Sequence, residues 1–360
     1  MNAIDIILNK QNFSHQDLAQ LISLSGDDRK KLFAKSREVS AKTIGDKVFY
    51  RGLVEFSNIC TKDCYYCGIR KSNHSAERYD IDDDAILDAA RFAHVNKYGS
   101  IVLQSGERSD TKFVARIGNL LKKIKEVSNN ELGITISLGE QTLETYKYWH
   151  ECGAHRYLLR IESSNETLFY KIHPKDINHN YNTRIECIEN LKKAGYQTGT
   201  GVMIGLPFQT YDDLANDLIF MKSMDIDMVG MGPYIEHRQT PLYEFKESLW
   251  PLQRRFDVAM NMIATLRLFM PNINIAAATA LQAIDPMGRE KALQNGANII
   301  MPNITPTLHR KDYALYENKP CTDEGADDCS NCISIRIEMA GKKVALGEWG
   351  DSKHFTERNK

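Results

Sequence analysis

Eight short apolar runs, separated by longer segments of helical periodicity, constrain this chain more than any other feature of it. The runs are VFYRGLVEF (48–56), SIVLQ (100–104), GITISL (133–138), RYLLRI (156–161), TGTGVMIG (198–205), DMVGMG (227–232), INIAAA (273–278) and ANIIMP (297–302). Most are continuous in apolar character rather than alternating, as expected of strands buried on both faces. Between them, 82–97, 110–127, 141–152, 180–194, 210–224, 251–270 and 287–295 carry the i, i+3, i+4 spacing of helices. Gly153, Gly195 and Gly296 each follow a helical segment and precede a strand, where a left-handed residue ends a helix. Thr210 stands before YDDLANDLIF as an N-cap with acidic residues in the first turn. This α/β alternation predicts a (β/α)8 TIM-type barrel over 48–302. It is preceded by an N-terminal helical extension (1–47) and followed by a cysteine-bearing C-terminal extension (303–360) that closes the barrel. An open doubly wound sheet is the alternative, because alternation alone does not prove closure.

Charge and cysteine usage narrow the function. Lys plus Arg (46) nearly balances Asp plus Glu (47), which leaves no basic field for nucleic acid. No apolar run approaches the ~20 residues of a membrane span, and the N-terminus lacks a signal-peptide apolar core. The expectation is a cytoplasmic chain with no membrane partner. Six of the eight cysteines fall into two groups, Cys60, Cys64, Cys67 and Cys321, Cys329, Cys332. In a reducing compartment such clusters point to metal or redox chemistry rather than to bridges. Cys152 and Cys187 stand alone in helical segments and read as small buried hydrophobes.

The segment CTKDCYYC sets three thiols at a CxxxCxxC spacing directly after the first strand, the mouth side of a barrel. Closed zinc sites and ferredoxin clusters want four ligands. Three thiolates in one loop suit a 4Fe–4S cluster with one iron open. With an aromatic residue before the last cysteine (Tyr66), the motif resembles the signature of the radical S-adenosylmethionine superfamily. The resemblance implies that S-adenosylmethionine chelates the open iron and is cleaved to a 5′-deoxyadenosyl radical. It also implies cofactor contacts at the ends of successive strands. Ser105-Gly106-Glu107 stands where the superfamily usually has Gly-Gly-Glu for the methionyl amino group. Glu162 ends strand four, Arg184 can pair with the methionyl carboxylate, and GVMIGLP, with Gly201 and Met203, resembles the adenine-binding segment. Ser137, ending strand three, faces the same interior.

The tail segment CTDEGADDCSNC carries a second triad among acidic residues, which would oppose thiolates unless a cation neutralised them. It reads as a possible second iron–sulfur cluster, 2Fe–2S or 4Fe–4S, with a residual site as the alternative. Together with RGLVEFSNIC, IVLQSGE, ITISLGE, RYLLRIESSNETLFYKIHP, GVMIGLP, DMVGMGPYIEHRQTPL and NIIMPNITP, it makes the chain resemble the FeFe-hydrogenase H-cluster maturases of the HydE type over residues 45–350. That resemblance implies a small anionic, organometallic substrate: an iron–carbonyl–cyanide–cysteine precursor processed toward the diiron subcluster. It also implies partner maturases including a scaffold GTPase, and a ferredoxin or flavodoxin as electron donor. Arg156, Arg160, Thr279, Tyr313 and Tyr316 are the expected substrate contacts, with Arg160 either paired to Glu140 or Glu162 or facing the ligand. Biotin synthases need cysteines inside barrel strands, and these strands have none. Two alternatives stand: an amino-acid mutase resembling methylornithine synthase, and a non-enzymatic iron–sulfur carrier.

Overall fold

The computed structural model of the protein describes residues 3–323 and 325–360, the side chains of 326–331 excepted. Among the described residues, all eight apolar runs form parallel strands. They are β1 (Lys47–Ser57), β2 (Ser100–Ser105), β3 (Gly133–Ser137), β4 (Arg156–Leu158), β5 (Gln197–Thr200), β6 (Met228–Val229), β7 (Asn274–Ile275) and β8 (Ile299–Ile300). Their order around the sheet is β8-β1-β2-β3-β4-β5-β6-β7. The two edges then meet: Ala276 bridges Ile299, Asn298 N–H donates to Ile275 O and Ala277 N–H to Ile299 O, both at 2.9 Å. The sheet is therefore a closed barrel, and the open-sheet alternative is excluded.

Helix starts follow the capping chemistry of the sequence. Asp82, Asp110, Thr142 and Asn180 each accept a backbone N–H of the first turn, and Thr210 forms a reciprocal capping box with Asp213. Gly153, Gly195 and Gly296 have φ of +113°, +89° and +132°, so the expected left-handed closures are present. Residues Ala3–Leu8, His15–Ser23 and Gly26–Thr43 form three helices within the segment expected to be helical. They pack on Tyr211–Ser223 and Leu252–Phe269, where Asn261 donates to Ile22 O and Leu24 O.

Inward-facing side chains recur every second residue, so each strand reads from floor to mouth. Along β1, Arg51 contacts Gly350 O near the floor while Leu53 and Glu55 line a cavity above it. On β4 the same stack begins with Arg156, and here the sequence reading is corrected. Arg156 shares a face with Arg160 but lies four residues, about 13 Å, closer to the floor. It is fully buried among Ser100 Oγ, Trp349 O and Asp351, and does not line the cavity. A substrate contact is ruled out by its place at the wrong end of the strand. The floor itself is built by residues after 342: Lys343–Val344 pairs with the start of β1, and 349–352 cross beneath β1, β2, β4, β5 and β7. Expected strand 156–161 stops at Leu158, because Ile161 N–H turns to the hydroxyl of Thr200 instead of a ladder carbonyl.

Candidate active site

A cavity of about 340 Å³ opens at the C-terminal ends of the strands, lined by Cys60, Cys64 and Cys67 on one side. The loop after β1 is tied down by its backbone: Thr61 N–H donates to Glu107 O (2.9 Å) and Tyr65 N–H to Ile172 O (3.0 Å). Cys60 Sγ accepts two backbone N–H groups, from Lys62 at 3.4 Å and Glu107 at 3.3 Å. Gly106 permits this approach, since a Cβ there would sit 2.4 Å from Ile59 O and 2.8 Å from Cys60 Cβ. Tyr66 lines the cavity and its hydroxyl lies 3.1 Å from His173 Nε2.

The donor chemistry suits a cationic cluster. Burial pushes all three thiols up, Cys67 to about 12, and each thiolate formed makes its neighbours harder to ionise. Three thiolates in this loop need a strong local positive charge, and a 4Fe–4S cluster supplies one.

Beside the cysteines lies a buried charge network that includes a residue absent from the sequence reading. Lys62, inside the motif, sits 3.0 Å from Glu107 and 2.6 Å from Glu140, and also donates to Asn178 O. Arg184 Nε donates to Glu140 at 2.5 Å, while its Nη1 donates to Arg160 O at 2.6 Å. Burial, with Glu140 adding, raises the Glu107 carboxyl above its ordinary range. Burial opposes ionisation of Glu140 too, yet Arg184 and Lys62 hold it below that range.

Glu162 occupies a left-handed conformation, φ +65°, uncommon for a residue with a Cβ. Its backbone is fixed by Glu162 N–H to Gly201 O and Met203 N–H to Glu162 O. Arg160 Nη2 is 2.8 Å from Glu162 Oε2, so of the two partners expected for Arg160 the structure selects Glu162. Beyond that ion pair, Glu162 Oε2 has no other partner among the described residues, and Arg160 Nε is buried without a hydrogen bond there. A buried, unpartnered guanidinium N–H beside a cavity fits a polar ligand. Ser105, Ser137 and Met203 line the cavity, and Ser105 Oγ donates to Gly106 O. Gly201 is not in the lining and is pressed against Gly230, where its Cβ would lie 1.8 Å from the carbonyl oxygen.

Across the cavity stand Thr279, Tyr313 and Tyr316, with Tyr313 OH accepting from Gln104 at 3.3 Å. Here the structure adds Glu55 and Lys319, a buried pair at 2.6 Å. A glutamate near the mouth end of a mostly apolar strand run was the available signal for Glu55; Lys319, in a turn-rich tail, had none. Of the tail triad, Cys321 is half-buried with Arg289 Nη2 at 3.8 Å, Cys332 is exposed on the helix Ala326–Met339, and the Cys329 side chain lies outside the described residues. No described helix is long and apolar enough to cross a membrane.

Residues 54–221 match the Radical SAM superfamily. In fold, the chain is similar to the crystal structure of methylornithine synthase (PylB), with a TM-score of 0.78 at 24% identity, over 96% of this chain and 98% of that one. It is also similar to that of HydG, a maturase of the FeFe-hydrogenase, with a TM-score of 0.79 at 17% identity, over 95% of this chain and 74% of that one. In sequence it is 40% identical to the FeFe-hydrogenase maturase subunit HydE of Thermotoga maritima over 97% of both chains. A barrel whose first loop carries three crowded thiols thus has a full-length relative of known type: the chain belongs to the HydE-type maturases of the radical SAM superfamily.

Proposed function

We propose that the protein uses radical S-adenosylmethionine chemistry on a small anionic, organometallic substrate during assembly of the FeFe-hydrogenase diiron subcluster. The observation that carries this reading is the 40% identity with HydE along the whole chain. When bound, a 4Fe–4S cluster on Cys60, Cys64 and Cys67 and S-adenosylmethionine supply one-electron cleavage of the sulfonium to methionine and a 5′-deoxyadenosyl radical. The chain's own residues hold and orient the cofactor. Glu107 accepts from the methionyl amino group, and Arg184, steadied by Glu140 and Arg160 O, presents its Nη2 to the carboxylate. Glu162 accepts from the ribose or lies by the sulfonium. The backbone around Gly201 and Met203, with Tyr66, Ser105 and Ser137, completes the pocket. Arg160, Thr279, Tyr313 and Tyr316 face the substrate, with Arg160 released from Glu162 as the cofactor takes the latter. The partners in this reading are a ferredoxin or flavodoxin, a second radical maturase that makes the substrate, and a scaffold GTPase that receives the product, all in the cytoplasm. The tail triad binds a second cluster.

Two experiments test it. Reduced, anaerobic protein incubated with S-adenosylmethionine should release 5′-deoxyadenosine, and Cys64→Ala should not. Expression in a hydrogenase-bearing host lacking its own HydE should restore hydrogen evolution. Cleavage without restoration would retain the radical chemistry and remove the maturation role.

A further inference from the structure

Directly behind Glu162 lies a carboxylate to which the cofactor reading gives no part. Asp217, on the helix Tyr211–Ser223, is completely buried. Its Oδ1 accepts both the backbone N–H (2.7 Å) and the hydroxyl (2.6 Å) of Ser164, two residues beyond Glu162. Two further contacts grip the same turn. Tyr181 OH donates to Ser164 O at 2.6 Å, and Asn165 Nδ2 donates to Asp213 Oδ1 at 2.7 Å. On the other side, Glu162 is pinned by Gly201 O and the Met203 N–H.

The energetics explain why a grip is needed. A non-glycine residue at φ +65° lies roughly 1–3 kcal/mol above its ordinary conformations, so surrounding bonds must hold it there. Asp217 Oδ1, fully buried and accepting twice from Ser164, is one of those constraints. Burying a carboxyl is costly, and it pushes Asp217 up to about 7, with Asp213 and Glu162 adding to the Ser164-opposed shift. Its other oxygen, Oδ2, makes no hydrogen bond among the described residues. An apolar residue at 217 would avoid that desolvation, so the carboxylate is best explained by what its one engaged oxygen holds.

We infer that Asp217 is a positioning residue that sets the Glu162 carboxylate for the adenosyl end of S-adenosylmethionine by locking the turn at Ser163–Ser164. It acts through the backbone and touches no reacting atom. The inference rests on the proposed role of Glu162. It adds a specific dependence: the two hydrogen bonds need an acceptor oxygen at 217, not a charge.

The test is calorimetric binding to the cluster-reconstituted protein. Asp217→Ala should weaken S-adenosylmethionine binding tenfold or more, while methionine alone, which lacks the ribose, binds as in the parent. Asp217→Asn keeps an acceptor oxygen and should restore binding to within about threefold. Iron content per chain serves as the control for an intact site. Wild-type S-adenosylmethionine affinity in Asp217→Ala, or an equal loss for methionine, would overturn the inference. If Asp217→Ala does not fold, Ser164→Ala carries the test: a threefold or greater loss supports it, and unchanged affinity overturns it. Glu162→Ala separates the two readings. Unchanged affinity there removes the Glu162 role itself, whereas a loss there with none in Asp217→Ala removes only the positioning role.

Discussion

Replacing Gly106 by alanine tests whether the cysteine loop depends on one close backbone approach. The added Cβ would meet Ile59 O at 2.4 Å, Ile59 C at 2.7 Å and Cys60 Cβ at 2.8 Å. Two of these are backbone atoms and the third is the root of the Cys60 side chain, so none can swing aside as a long side chain would. Relief requires the loop after β1 to part from the end of β2 by about 1 Å. That movement stretches Glu107 N–H to Cys60 Sγ, Thr61 N–H to Glu107 O, and Gly106 N–H to Ser57 O. Overpacking costs about 1–3 kcal/mol, and lengthening the three hydrogen bonds without breaking them costs about 1 kcal/mol in all, so a loss of about 2–4 kcal/mol is expected. Gly106 does not have a positive φ, so the effect is steric and not conformational. For a chain of this size the apo protein should melt about 3–5 °C lower. Anaerobic reconstitution should load markedly less iron and sulfide per chain. Gly230→Ala is the control, because its Cβ meets only Leu158 Cδ2 at 3.5 Å and Cδ1 at 3.9 Å. Wild-type melting and full iron loading in Gly106→Ala would show that the loop is not held by this contact.

Arg184→Ala should weaken S-adenosylmethionine binding tenfold or more, about 1.4 kcal/mol; unchanged affinity with a lowered melting temperature would make Arg184 purely structural. Changing Cys321, Cys329 and Cys332 together to serine should leave S-adenosylmethionine cleavage in place, and a variant that binds the cofactor normally yet releases no 5′-deoxyadenosine would contradict this. Acid should destabilise the floor through His155, which burial holds neutral down to about 3. Between that value and ~6.5 the unfolded chain binds a proton that the folded chain does not, so stability falls as pH drops below ~6.5, by at most about 1.4 kcal/mol per unit. The actual slope should be shallower, because the His155 side chain keeps 20% exposure. Asp351 adds its own loss only at the acid end of this window, where its carboxyl, held low in the folded chain, would take a proton in the unfolded chain at about 3.9; between pH 7.5 and 5.5 it adds almost nothing. Melting curves at pH 7.5 and 5.5 for the parent and His155→Gln should therefore differ in slope, and identical slopes would refute the assignment.

What could be read from the sequence was whatever depends on local pattern. Strand and helix order follows from apolar periodicity, and the gathering of three thiols in one loop from their spacing, because both are encoded within a few residues. Arg156 shows where that reasoning stops. The two arginines of RYLLR share a face, and chain direction puts the first of them at the floor end of a parallel barrel; what that buried guanidinium pairs with, Asp351, lies far along the chain and cannot be read from the pentapeptide. Lys62 was hidden for a related reason, since its neighbours Glu107 and Glu140 come from two other strand ends. The Glu55–Lys319 pair joins β1 to the tail across the cavity, a proximity that follows from closure rather than from either segment.

The floor has a consequence for the order in which the protein comes into being. The cysteine loop and its partners at Gly106 and Glu107 emerge close together during synthesis. Ser100, by contrast, precedes its floor partner Trp349 by 249 residues, and Arg51 precedes Gly350 by 299. At about 5–20 residues per second, Ser100 and Arg51 wait roughly 12–60 s on the ribosome for those contacts. At the end of that interval, once Ile300 has emerged, the ring of strands still lacks its base, and Arg156 stands without Asp351. A nascent chain of this kind has unsealed strand ends open to other chains until its last residues arrive.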